Sequence, residues 1–133
     1  MLQAGVHAAT DVTGFGLTGH LLELLKASGV GAELYFKQIP VLPEAWALAR
    51  QEVIPEGSRN NYHFVRDSMD WQISVSPDAQ IILSDAQTSG GLLIAVAPAQ
   101  AEPLLGQLRA GGNAAAQVIG QVVAAPTPII RVL

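Results

Sequence analysis

The stretch His7-Ala-Ala-Thr-Asp-Val-Thr-Gly-Phe-Gly-Leu-Thr-Gly-His20 decides how the rest of the chain is read. Small and polar residues sit here directly ahead of a periodic apolar run. Asp11 is the only charged residue in the first 22 positions, with Thr10 and Thr13 beside it and Gly14, Gly16 and Gly19 following. Glycine lets the backbone take positive φ and lets a ligand approach the main chain. A glycine turn that opens a helix points N–H groups outward at the positive end of the helix dipole, where phosphate binds well. An aspartate beside such a turn suits Mg²⁺, which takes oxygen ligands and bridges to nucleotide phosphates. The stretch therefore reads as strand (Val6 to Asp11), phosphate-facing turn and helix. The same residues also suit a plain tight turn with a capping residue.

Beyond the turn the pattern becomes helical. Leu17, Leu21, Leu24, Leu25 and Ser28 fall on one face, Thr18, Glu23 and Lys26 face away, and Gly29 stops the helix. Ala32, Leu34 and Phe36 then alternate with Glu33, Tyr35 and Lys37, as in a half-buried strand. Pro43 opens a short helix to about Gln51, with Trp46, Leu48 and Ala49 as its apolar side. Ser58 to Pro77 has no clear period and reads as a loop followed by a short helix, or as an irregular surface connection.

Ile81 to Leu83 and Gly91 to Val96 read as strands, the second apolar enough to be covered on both faces. Between them Ser84-Asp-Ala-Gln-Thr-Ser-Gly-Gly91 repeats the chemistry of the opening stretch: an acid, hydroxyls, then glycines. A helix follows from about Ala99 to Ala110, burying Ala101, Leu104, Leu105 and Leu108. A start near Ala101 would keep Pro103 in its first turn. Ala116 to Val123 and Ile129 to Val132 read as the last strands. About five strands and three or four helices result. Because some neighbouring strands lack a helical crossover, the fold class is α+β, an α/β-layered mixed β-sheet with helices packed on it.

Composition narrows the function. The 133 residues fit one domain. Half are apolar and only 14% are charged, against about 25% in an average soluble domain. A face reserved for a hydrophobic partner, or simple alanine richness, accounts for the difference. The net charge of −4 with seven basic residues and no basic run argues against nucleic acid. No cysteine is present, which excludes disulfides, thiolate metal sites and a cysteine nucleophile in this sequence. His7, His20 and His63 are far apart without an i+4 partner, so they read as surface or supporting histidines rather than zinc ligands. No stretch is long enough to cross a membrane and no leader is visible, so the expected location is cytoplasmic.

Several motifs together resemble one family. Thr10-Asp-Val-Thr-Gly-Phe-Gly-Leu-x-Gly19-His20 is similar to the signature that opens the C-terminal domain of selenophosphate synthetases. Leu42-Pro43, Pro55-x-Gly57-Ser58-x-x-Asn61, Asp85-x-Gln87-Thr-Ser-Gly-Gly-Leu-Leu93 and Ile119-Gly120-x-Val122 follow in matching order, so the resemblance covers essentially the whole chain. Ala86 stands where proline is usual, Asn60 where a basic residue is expected and Glu56 where glycine is usual. These departures bear on loop detail.

The resemblance implies a fold like the C-terminal domain of aminoimidazole ribonucleotide synthetase. It implies that residues 1–133 are a single C-terminal domain of a larger two-domain enzyme whose N-terminal ATP-binding domain is absent from this sequence. The family converts selenide, ATP and water to selenophosphate, AMP and phosphate with Mg²⁺, usually as a homodimer. The catalytic Cys or selenocysteine and its Lys belong to the other domain, so no catalytic residue is expected here and the chain alone should not turn over. Asp11 matches the aspartate that reaches the metal–phosphate cluster. Thr13, Gly14 and Gly16 are the expected nucleotide-facing residues. Asn61 either fixes a substrate or caps a turn. Thr88, Ser89 and Gly90 either approach phosphate or shape a strand connection. Rival readings keep the fold with another related ATP-using reaction, or make the chain a non-enzymatic interaction domain.

Overall fold

The computed structural model describes residues 5–133. Among the described residues six strands and five helices alternate irregularly, more of each than the sequence reading expects. Two sheets form rather than one. β1 (Val6–Asp11) pairs antiparallel with β4 (Leu92–Val96) as a separate two-stranded ribbon. The main sheet has the order β3-β6-β2-β5, built from β2 (Gly31–Leu34), β3 (Met69–Trp71), β5 (Gly120–Val123) and β6 (Ile130–Val132). β6 runs parallel to both β2 and β3, while β5 is antiparallel to β2, so the sheet is mixed, as expected.

The helices α1 (Gly16–Ser28), α3 (Glu56–Val65) and α4 (Pro77–Leu83) cover one face of the main sheet. Their Leu21, Leu22, Leu25, Val65, Ala79 and Leu83 meet Ala32, Leu34, Ile130 and Val132 in the core. The opposite face stays wet. There Arg131 Nη1 donates to Glu33 Oε1 at 3.1 Å, Arg131 Nε to Asp70 Oδ2 at 3.0 Å, and Gln121 Nε2 to Glu33 Oε2 at 2.8 Å. Asp70 first, then Glu33, holds the Arg131 guanidinium above its usual range. Cross-strand pairing of opposite charges on a solvated face is what an α+β layer requires of its outer side.

Several elements differ from the sequence reading. In α1 the buried stripe is Thr18, Leu21, Leu22 and Leu25, and Ser28 is exposed. Spacing i, i+3, i+4, i+7 holds, but turned so that Thr18 faces inward, where its hydroxyl finds Ser84 Oγ at 3.1 Å. Ile81 to Leu83 is helix, the last turn of α4. Ser76 accepts from Ala79 N–H at 3.3 Å and Pro77 takes the first helical position, a start signal that overrides a three-residue apolar run. The segment from Ser58 to Pro77, read as a loop followed by a short helix or as an irregular connection, instead opens in helix α3, which begins at Glu56 and ends at Val65, and continues as a 3₁₀ turn and β3. Phe36 leaves β2 for a 3₁₀ turn, and the strand expected from Ala116 starts at Gly120. β4 is only half-covered, not buried on both faces, and β1 is its single hydrogen-bonded partner among the described residues.

The helix α2 (Pro43–Arg50) falls where expected, although Leu48 is exposed and Ala49 is the buried residue. The helix α5 (Pro98–Ala110) starts at Pro98, so Pro103 lies in its interior and cannot donate toward the Ala99 carbonyl. It buries Leu104 and Leu105, with Ala101 and Leu108 half-buried.

The end of α2 holds a testable strain. Glu52 N–H donates to Ala49 and Val53 N–H to Leu48, the paired bonds of a Schellman turn. The residue that must be left-handed there is Glu52, at φ 57°, the single non-glycine with positive φ among the described residues. Such a conformation costs a side-chain-bearing residue about 1–2 kcal/mol, part of which glycine returns as chain entropy. Glu52→Gly should therefore raise stability by about 0.5–1 kcal/mol, visible as a higher urea midpoint at unchanged slope. A lower midpoint would refute this account of the turn.

Candidate functional site

The opening stretch folds as strand, turn and helix. β1 ends at Asp11, which is exposed and lies opposite Leu92 in the ribbon. Val12 is buried, and its N–H donates to the Gly91 carbonyl at 2.9 Å. The Thr13 carbonyl then accepts from Gly16 N–H and from Gln87 N–H, both at 3.0 Å. The turn at 12–15 and the loop at 84–91 are thus joined backbone to backbone at both ends.

Two glycines permit this closeness. A Cβ on Gly90 would lie 2.0 Å from the Val12 carbonyl oxygen. A Cβ on Gly16 would meet Ser84 and Asp85 backbone at 2.7 Å, and Gly16 also has φ 68°. Gly14 and Gly91 have open space instead. Their conformational freedom is not what sets the loop spacing.

The helix α3 braces the pair of loops from one side. Its Ser58 hydroxyl donates to Asp85 Oδ1 and accepts from Ala86 N–H at 3.3 Å. Asp85 thereby sits beside the first turn of α3, where a negative charge is favoured. Asn61 Nδ2 donates to the carbonyl of Gly14 at 2.8 Å and to that of Ser84 at 3.1 Å. On the α1 side, Thr18 and Ser84 share a hydroxyl pair, and Ser84 Oγ donates to the Gln80 carbonyl at 3.1 Å. Thr13 Oγ1 lies 3.0 Å from His20 Nε2, and the Phe15 ring is tilted against the His20 ring at 5.5 Å.

All of the residues the sequence singles out come together here. Asp11, Thr13, Gly14 and Gly16 lie along one edge, Thr88, Ser89 and Gly90 along the adjacent one, and Asn61 beneath. Thr88 and Ser89 are exposed, while Gly90 makes the close backbone approach. Asn61 is nearly buried, and both of its N–H donors are taken by main chain. His7 lies at the irregularity in β1, between the paired residues Val6 and Ala8. His63 is an exposed residue of α3 stacked edgewise against Tyr62. The sequence reading missed Ser58, Ser84 and Thr18 as bracing groups. The available signal was the spacing of Ser58, Asn61 and Val65, a helical stripe whose first two members are polar.

The donor set bears on Mg²⁺. Among the described residues no group of three or more His, Cys, Asp or Glu gathers to hold a metal ion. Mg²⁺ needs near-octahedral oxygen coordination. One exposed carboxylate, Asp11, fits such an ion only as a single ligand of a site completed by phosphates and other protein groups.

The ribbon joined to a helix-covered mixed sheet, with a glycine turn at the junction, belongs to a recognisable class. Residues 1–132 match the family described as AIR synthase related protein, C-terminal domain, and the chain belongs to that family. Among its relatives, the selenide, water dikinase of Pelobacter propionicus is 46% identical over 121 residues, covering 91% of this chain and 35% of that protein. The corresponding protein of Carboxydothermus hydrogenoformans is 42% identical over 118 residues, covering 89% and 34%. That of Clostridioides difficile is 41% identical over 128 residues, covering 96% and 37%. The chain spans about a third of the length of these curated relatives. Among the described residues no helix is long and apolar enough to cross a membrane.

The loop spacing gives a paired prediction. Gly90→Ala should destabilise the fold by roughly 2 kcal/mol or more, because backbone must move to admit the methyl group. Gly91→Ala, with nothing within 4 Å of its Cβ, should change stability little. Denaturant titration of both variants is the check, and equal effects would show that the Val12 contact is not what the glycine serves.

Proposed function

We propose that this chain is the C-terminal domain of an ATP-dependent selenophosphate synthetase, converting selenide, ATP and water to selenophosphate, AMP and phosphate. The observation that carries the reading is the exposed Asp11 carboxylate at the mouth of a braced glycine turn, in a chain 46% identical to a selenide, water dikinase. On this reading the ATP-binding domain is a separate N-terminal region, and the complete enzyme is a cytoplasmic homodimer. The domain supplies one wall of the nucleotide site and no catalytic residue of its own.

The chemistry available to that wall follows from its groups. The N–H groups of Thr13, Gly14 and Phe15 donate to no backbone acceptor among the described residues. They lie just before the N-terminus of α1, where anionic oxygens are favoured by N–H donors and helix dipole together. Thr88 and Ser89 border the same turn with exposed hydroxyls. Asp11 offers a carboxylate oxygen to Mg²⁺, and bound Mg²⁺ would neutralise phosphate charge during transfer. Phosphoryl transfer depends on holding several such groups at once, so a domain with one carboxylate positions the nucleotide without turning it over alone.

In the full-length enzyme, Asp11→Asn should lower Mg²⁺- and selenide-dependent ATP turnover by at least about 10²-fold, the scale of losing one electrostatic stabiliser. The fold should survive, since the side chain is exposed. Steady-state assay of AMP release tests this, and near-normal turnover would remove Asp11 from the site.

A further inference from the structure

Asn61 contributes more than a cap to the candidate site. It is 8% exposed, sits on α3 rather than on either glycine loop, and directs both protons of one planar amide at two separate loops. One proton reaches Gly14 in the turn that follows Asp11. The other reaches Ser84, where α4 gives way to the Asp85–Gly91 loop. With those donors committed, the amide is not available to donate to a nucleotide. Ser58, three residues earlier on the same helix, fastens the second loop again through Asp85 and Ala86. The backbone bonds between the loops hold Val12 and Thr13 against Gln87 and Gly91. They do not engage the Gly14 carbonyl, so the tip of the turn depends on the amide from α3.

We propose that Asn61 is a positioning residue: its side-chain amide fixes the Gly14 tip of the turn relative to the Ser84 loop, and thereby sets where the turn N–H groups face the nucleotide and its metal-bound phosphates. The proposal rests on the nucleotide-site reading above. A planar amide is specifically suited, because it carries two donors at a fixed angle. An isosteric carboxylate would replace the doubly donating NH₂ by an acceptor oxygen facing both carbonyl oxygens, which repels the turn with almost no change in side-chain volume.

The test uses the full-length enzyme carrying Asn61→Asp, with Asn61→Ala alongside as an uncharged removal of the amide. Val75→Ala provides the comparison. Val75 is a buried core residue just before the start of α4, at the opposite end of that helix from Ser84, so its truncation should lower stability through the core rather than through the loops. Displacing aligned groups by about an ångström costs on the order of 10²-fold in rate. The Asn61 variants should lose about that much in kcat/KM for ATP and need more Mg²⁺ for half-saturation. Val75→Ala, assayed well below its unfolding temperature, should keep both. Asn61 variants that lose no more than Val75→Ala would overturn the proposal. Hydrogen exchange at the Val12 and Gly16 amides, bonded to the Gly91 and Thr13 carbonyls, is the second readout and does not depend on turnover. Exchange at least 10-fold faster in the Asn61 variants supports the clamp, and unchanged exchange overturns it. A wild-type enzyme without selenide-dependent turnover would overturn the functional reading, while the exchange result would still decide whether the amide holds the turn.

Discussion

The contact on which the site depends is the one between Gly90 and the carbonyl of Val12, where main chain lies against main chain with no room for a side chain. It sets the distance between the two glycine-rich segments. Everything else in the wall follows from that spacing: the bond from Val12 N–H to Gly91, the double use of the Thr13 carbonyl, and the reach of a single Asn61 amide to both segments. Two loops held only by side chains would carry the entropy of those side chains. Loops joined through their backbones carry little, and the Cα and Cβ of an exposed carboxylate at their edge are then placed by the scaffold.

The rest of the molecule supports this junction in layers. The core of α1, α3 and α4 against β2 and β6 is aliphatic and well buried. At the ends of those helices nearest the loops, the packing changes to hydroxyls and amides: Thr18, Ser58, Asn61 and Ser84. No buried side-chain N or O atom among the described residues lacks a partner. A polar cluster satisfied in this way specifies one arrangement, because any slip leaves a buried donor or acceptor unpaired at a cost of about 1–3 kcal/mol. Aliphatic packing alone would tolerate sliding between helix and loop.

Much of this was legible from sequence, for identifiable reasons. The first helix and its end at Gly29 follow from leucine spacing and a left-handed glycine. The second helix follows from Pro43, and the mixed sheet from alternation and missing crossovers. The third helix was not legible, because its inward stripe begins with Ser58 and Asn61, and hydrophobic periodicity does not register polar residues that pair with main chain. The same blindness put Thr18 on the wrong face of the first helix. Ile81 to Leu83 shows a different limit, since three apolar residues fit a strand or a helix turn and only the Ser76-Pro77 start distinguishes them. At the site, the ordered motifs identified which segments matter. Which residues face solvent and which brace the loops depended on contacts between positions far apart in sequence, and no local pattern encodes those.

The order of strands in the main sheet has a consequence for how the protein comes into being. β6 follows every other element in the chain, yet it lies between β3 and β2, with Ile130 and Val132 fully buried. Until it arrives, β3 has no hydrogen-bonded neighbour, β2 lacks one of its two, and Leu34 lacks the donor that Leu133 supplies to its carbonyl. During synthesis the growing polypeptide therefore holds helices over an incomplete floor, with open strand edges able to pair with another chain. The residues of β6 act as the keystone of the sheet. Damage to those few residues would undo packing contributed by helices and strands from Leu21 to Leu83.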